Sequence, residues 1–239
     1  LPRLYGNSAY ADLSGDVIDA VLDEAGKFAG QVLAPLNRIG DQQGAKLENG
    51  KVALPQGFAA AYRQFVDGGW NGITGFVEFG GQGLPHTIGL AVQEIWQSAN
   101  MAFGLCPILS QGAIEALTTH GTPDQKKTYL PKLISGEWTG TMNLTEPQAG
   151  SDVGALNSKA VRQADGSYKI TGTKIFITWG EHEAADNIIH LVLARLPDTP
   201  LGTRGISLFL VPKFLVKADG ALGARNDLRC VGLEHKLGI

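Results

Sequence analysis

The feature that most constrains this chain is a change of hydrophobic period after Gly136. Before it, apolar residues recur at helical spacing; after it, short runs rich in β-branched residues alternate with turn chemistry. Val17, Ile18, Val21, Leu22, Ala25, Phe28, Ala29, Val32 and Leu33 share one face of a helix, with Ser14 as N-cap and Pro35 as stop. A weaker helical pattern runs over Pro55–Asp67, and further ones over Thr87–Asn100 and Ile108–His120. Thr122-Pro123-Asp124-Gln125 supplies a cap, a first-turn proline and a capping-box glutamine for a helix that Pro131 is expected to cut short.

The later runs are Trp138–Leu144, Ala155–Val161, Tyr168–Thr171, Lys174–Ile177, Ile188–Leu196 and Ile206–Val211. Asp165-Gly166 signals a hairpin, and Gly172-Thr173 reads as a second turn. Helices first and strands afterwards predict a multi-domain α+β chain rather than a doubly wound sheet. The expected division is an all-α domain over residues 1–137 and an antiparallel β-barrel over residues 138–239.

Composition narrows the partners. The net charge is −3, with 20 Lys and Arg against 23 Asp and Glu. No polybasic face follows from that balance, which argues against nucleic acid or an anionic membrane as partner. Cys106 and Cys230 form no disulfide framework and lack metal-ligand spacing, so a reducing, cytoplasmic setting is expected. Leu1–Ala11 carries no signal-peptide pattern. The uncharged run Ile95–Ile114 is nominally long enough to span a bilayer, but it contains Gln97, Ser98, Asn100, Ser110 and Gln111, with Gly104 and Pro107 in the middle, and two buried helices joined by a turn explain it better.

Familiar nucleotide signatures fail their context tests. Gly81-Gln82-Gly83 sits between helices and follows no strand, so it reads as a glycine turn, and there is no P-loop. His182, Glu183, Asp186 and His190 lack the spacing of a zinc protease. Two other segments carry chemistry. Thr145-Glu146-Pro147-Gln148-Ala149-Gly150-Ser151-Asp152 leaves a strand with hydroxyls and an open backbone that suit an electron-poor ring or a pyrophosphate; it serves equally well as a capped turn. In Lys174–Thr178, strand alternation places Phe176 and Thr178 on one side, to cover a flat ring and bond its edge. Ordinary packing of a barrel wall is the commoner reason for such a pattern.

Taken together, Met142–Asp152 and Lys174–Thr178 resemble two signatures of the acyl-CoA dehydrogenase family. Gly80–Leu84 and Gly121–Leu133 resemble its helical N-terminal domain. Glu181-His182-Glu183 and Arg229–Ile239 are similar to a bacterial branch that includes 3-(methylthio)propanoyl-CoA dehydrogenase. The resemblance implies FAD, with Met142, Leu144 and Thr145 lining the flavin and Thr178 bonding its N5/O4 edge. Asn143, Gly150, Phe176 and Ile177 belong to the same implied set, and Ser151 serves both FAD and the CoA side. Many relatives have Trp where this chain has Phe176; the phenyl ring keeps the stacking face but lacks the indole N–H.

The implied activity is dehydrogenation of an acyl-CoA, with a short or methylthio-substituted acyl group, to a trans-2-enoyl-CoA. Electron-transfer flavoprotein is the implied acceptor, and a homodimer or homotetramer the implied assembly. The catalytic base of the family is a Glu of a C-terminal helical bundle, so it is expected beyond Ile239 and is not Glu146 or Glu181. Flavin monooxygenases, acyl-CoA oxidases and non-catalytic flavoproteins share the resemblance.

Overall fold

The computed structural model describes residue 10 and residues 13–236. The remainder of Leu1–Ala11 and Leu237–Ile239 therefore lie outside the described residues. Helix α1 (Gly15–Phe28) starts where the Ser14 hydroxyl accepts the Val17 N–H at 3.3 Å. It does not stop at Pro35. A π-turn over Ala29–Leu33 leads directly into α2 (Ala34–Gln43), with Pro35 as its second residue.

The expected all-helical half also contains a hairpin of β1 (Lys46–Glu48) and β2 (Lys51–Ala53). Its turn is Asn49-Gly50, with φ of 52° and 77°, the left-handed pair that two-residue hairpins require. Helix α3 (Phe58–Asp67) follows, and then a glycine-rich turn in which Gly81 lies so close to Gly75 that a Cβ would sit 2.1 Å from its carbonyl oxygen.

Helices α4 (His86–Ala99) and α5 (Met101–His120) meet at Asn100. The Asn100 side chain accepts the Phe103 N–H at 3.0 Å and donates to the Leu33 carbonyl at 3.2 Å. The uncharged run is thus two helices, but the break is at Asn100, and Gly104 and Pro107 lie inside α5. By length and composition α5 could cross a membrane; here it lies against α4, α6 and the sheet. Phe28, Phe65, Trp96 and Phe103 meet largely edge to face in the helical core. Helix α6 (Pro123–Ser135) has the full Thr122/Gln125 capping box; it runs past Pro131 to end at Gly136, φ 82°.

The sheet-rich half is a mixed five-stranded sheet of β3 (Trp138–Asn143), β4 (Lys159–Arg162), β5 (Tyr168–Thr171), β6 (Asn187–Arg195) and β7 (Ile206–Pro212). The expectation of a purely antiparallel barrel needs correction. β3 runs parallel to β6 in register Trp138↔Asn187 through Asn143↔Val192, and β4 meets β6 in a parallel contact at Lys159↔Arg195. β4–β5 and β6–β7 are antiparallel. The sheet curls enough to bring the Tyr168 ring of β5 within 5.1 Å of Phe209 of β7, yet among the described residues no ladder closes that gap. A separate ribbon, β8 (Phe214–Val216) with β9 (Leu222–Arg225), follows.

The β4–β5 hairpin forms where Asp165-Gly166 signals it, through a three-residue loop Ala164-Asp165-Gly166 with Gly166 left-handed, and no turn forms at Gly172-Thr173. The strand expected over Ala155–Val161 begins only at Lys159, because Val153–Ala155 is a 3-10 turn. β3 joins the two halves. Trp138 stacks obliquely on Tyr129 of α6, and Gly140 lies directly on α5, its N–H donating to the Ser110 hydroxyl at 3.1 Å. Thr139 and Thr141 face the other side of the sheet, toward His182 and His190.

Candidate functional site

Where β3 ends, the chain enters the Leu144–Asp152 loop. Glu146 and Ala149 exchange both main-chain N–H···O bonds at 3.0 Å, closing a tight turn around Pro147 and Gln148. The Glu146 carboxylate points inward and is only 3% exposed. It accepts the N–H groups of Asn157 at 2.6 Å and Ser158 at 3.0 Å, the Gln148 amide at 2.7 Å and the Lys174 ammonium at 2.8 Å. Burial alone would raise its pKa, but the Lys174 ammonium and the N–H donors outweigh it and hold the group at about 2.

Lys174 also donates to the Leu144 carbonyl at 2.9 Å, and the Ile175 N–H donates to the Thr145 carbonyl at 3.0 Å. The two segments singled out by sequence, 28 positions apart at their ion pair, are therefore laced together.

The second segment is not a strand. Phe176 and Trp179 have φ of 61° and 52°, and a turn forms at Thr178-Trp179. Left-handed residues break the period-two alternation, so the placement of Phe176 and Thr178 does not come from strand geometry. Both side chains are exposed nonetheless, and the Phe176 ring carries the Lys236 ammonium 4.0 Å from its centroid. Trp179 anchors the span from below: its indole N–H donates to the Ala102 carbonyl at 2.9 Å and its ring meets Phe103 edge-on.

Beyond Trp179, buried Glu181 accepts Lys213 at 2.5 Å and Arg225 at 2.9 Å, while Lys213 also donates to the His182 carbonyl at 2.7 Å. His182 Nδ1 accepts the Ala184 N–H at 3.2 Å, which leaves its Nε2–H to donate to Thr139 at 3.1 Å. His190 Nδ1 lies 2.8 Å from the Thr141 hydroxyl, which in turn donates to Asn143. Burial, with Lys213 nearby, pushes His182 down to about 3 and His190 to about 4. These histidines are committed to the sheet.

An open groove of about 2050 Å³ runs past these elements. Asn143, Phe176, Ile177 and Thr178 line it, together with Lys174, Ser158 and the Leu228–Lys236 segment. Met142, Leu144 and Thr145 are half-buried at and just after the end of β3, and Gly150 and Ser151 are exposed on the loop; none of these five is in the groove wall. Lys174, Lys213 and Arg225 carry the local electrostatics; Lys174 begins the second segment, whereas Lys213 and Arg225 did not stand out in the sequence. No spacing rule pairs a cation with a carboxylate so far away in sequence, and nothing in the sequence marked Lys213 or Arg225.

Comparison with known proteins gives the family. The family model described as "Acyl-CoA dehydrogenase, N-terminal domain" matches residues 17–137, and the one described as "Acyl-CoA dehydrogenase, middle domain" matches residues 141–233. The chain belongs to the acyl-CoA dehydrogenase family. It is 55% identical over 238 residues to a 3-methylmercaptopropionyl-CoA dehydrogenase of Ruegeria pomeroyi, covering 100% of this chain and 40% of that protein. The butyryl-CoA dehydrogenase structure from Megasphaera elsdenii superposes with a TM-score of 0.68 at 25% identity, covering 83% of this chain and 49% of that one. A chain from a structure titled for the electron transferring flavoprotein of Acidaminococcus fermentans gives a TM-score of 0.68 at 28% identity, covering 83% and 48%. The chain spans about 40% of the length of the first curated relatives it matches.

Proposed function

We propose that residues 1–137 and 138–239 are the helical domain and the flavin-binding domain of an FAD-dependent acyl-CoA dehydrogenase. The observation that carries this reading is the Thr145–Ile175 main-chain bond. It joins the two family segments and leaves Phe176 and Thr178 exposed on the wall of a large groove. The donor set fits a flavin: Ser151 and Thr178 are exposed and Thr145 is half-buried, so their hydroxyls are open to the ring's edge acceptors. A Cβ at Gly150 would meet nothing within 4 Å, so a ligand has room to approach that backbone.

Thr178 bonds the flavin edge, and Phe176 offers a ring face once Lys236 moves aside. Asn143 and Ile177 line the groove beside them, and Met142, Leu144, Thr145, Gly150 and Ser151, carried over from the family resemblance, would meet the cofactor from the end of β3 and the loop beyond it, outside the groove wall. When bound, the flavin supplies a hydride acceptor for the β-hydrogen of the thioester. Glu146 and Glu181 are unsuited to remove the α-proton, since both carboxylates are buried and engaged by cations.

The relative from Ruegeria pomeroyi supports a short or methylthio-substituted acyl group, and the Acidaminococcus likeness supports an electron-transferring flavoprotein as acceptor. A homodimer or homotetramer in the cytoplasm completes the reading.

Full-length protein reconstituted with FAD is expected to be yellow and to bleach with a short acyl-CoA under anaerobic conditions. Thr178→Ala should slow flavin reduction roughly tenfold, the worth of one hydrogen bond of about 1–1.5 kcal/mol. Protein that shows no flavin absorbance after reconstitution would refute the assignment. Fast reoxidation of the reduced enzyme by air would move it to the acyl-CoA oxidases.

A further inference from the structure

The span from Lys174 to Glu181 is bolted at both ends by buried ions. At one end Lys174, 9% exposed at its side chain, grips the Glu146 carboxylate and the Leu144 carbonyl. At the other, Glu181 is held by Lys213 and Arg225. Between the bolts lie two bulky aromatic residues in left-handed conformation, Phe176 and Trp179. Such backbone is rare for large side chains and persists only where the surroundings over-determine it.

Stability alone is a weak reason for this arrangement. Removing two charges from water costs as much as their attraction returns, and an apolar or neutral replacement of similar shape often serves the fold as well. Geometry is the better reason. Glu146 has no lone pair to spare for a substrate: Lys174, Gln148 and the Asn157 and Ser158 N–H groups occupy it. Through Lys174 and Ile175 it fixes the distance between the loop bearing Thr145 and the span bearing Thr178.

We propose that Glu146 and Lys174 are a positioning pair that sets the electron affinity of the bound flavin, by holding Thr178 in place relative to Thr145. This inference rests on the flavin reading above. It differs from a long-range charge effect, because the pair is neutral as a unit and its field on a flavin largely cancels. The hydrogen bonds at the flavin edge are what the pair tunes.

The test compares FAD-loaded full-length wild type with Glu146→Gln, Lys174→Met, the double variant and Lys174→Arg, reading FAD dissociation constant, flavin midpoint potential and thermal midpoint. Each neutralising single variant is expected to weaken FAD roughly 10–100-fold, by analogy with the loss of a partner that orients a metal ligand. The decisive form is the double variant. It leaves no buried ion unpaired and keeps the net charge, so its thermal midpoint should recover toward wild type while its flavin potential and visible band stay shifted. Lys174→Arg retains the pair and should stay near wild type in potential. A double variant with wild-type potential and spectrum would overturn the inference, leaving the pair a purely structural element and the flavin reading intact. Wild-type protein that takes up no FAD would overturn the flavin reading itself, and this inference with it.

Discussion

Acidification from pH 7 to pH 4 is expected to cost the fold about 6 kcal/mol through His182 and His190 alone, at about 1.4 kcal/mol per pH unit for each group. Their folded values, about 3 and about 4, lie below the ordinary 6.5. The unfolded chain therefore binds more protons throughout that interval. Stability is full above pH 6.5 and falls steadily as the pH drops toward 4. The structure supplies the reason: a proton on His182 Nδ1 would face the Ala184 N–H, and His190 Nε2 has no partner to receive one. Glu146, held at about 2, adds to the loss only below its ordinary value of 4.5. A loss of that size is comparable to the whole stability of many domains. Urea titrations between pH 7 and 4.5 measure it, with His190→Leu expected to remove about half of the slope. A midpoint that does not move over that range would rule out neutral buried histidines.

Gly140→Val is expected to destabilise the protein by about 3 kcal/mol, at the upper end of what overpacking a tight interface costs. A Cβ at Gly140 would lie 2.4 Å from the Ala113 Cβ and 3.3 Å from the Ser110 Cα, so helix α5 has to move off β3. For a chain of this size that corresponds to a fall in Tm of roughly 6–12 °C. Gly140→Ala combined with Ala113→Gly restores room at the contact and should recover most of the loss, less about 1 kcal/mol for glycine within a helix. If the pair is no more stable than Gly140→Ala alone, the contact is not the cause.

Local rules made much of the helical half legible. Ser14, the Thr122/Gln125 box and Gly136 mark ends that depend only on nearby residues. The prolines misled, because Pro35 sits in a first turn after a π-turn and Pro131 is carried inside a helix. Asn49-Gly50 is a hairpin signal in its own right, but its flanking strands are only three residues long, too short to show an alternation of their own. In the sheet, parallel pairing depends on which strands meet across long separations, and no local pattern encodes that. The site was legible as two segments. Its shape was not, since the left-handed Phe176 and the buried partners of Glu146 and Glu181 are tertiary outcomes.

The parallel pairing of β3 with β6 also sets an order of events in time. Trp138 meets Asn187 only after the β4–β5 hairpin and the whole Leu144–Glu181 stretch have been made. At synthesis rates of about 5–20 residues per second, β3 waits roughly 2–10 s for its central neighbour. The helices it packs on precede it, so Gly140 can settle on α5 during that wait while the edge awaiting β6 stays open. Closing so long a loop is slow compared with helix formation. The groove wall is therefore among the last surfaces to assemble, and a nascent chain stalled near Ile175 would expose a bare parallel edge.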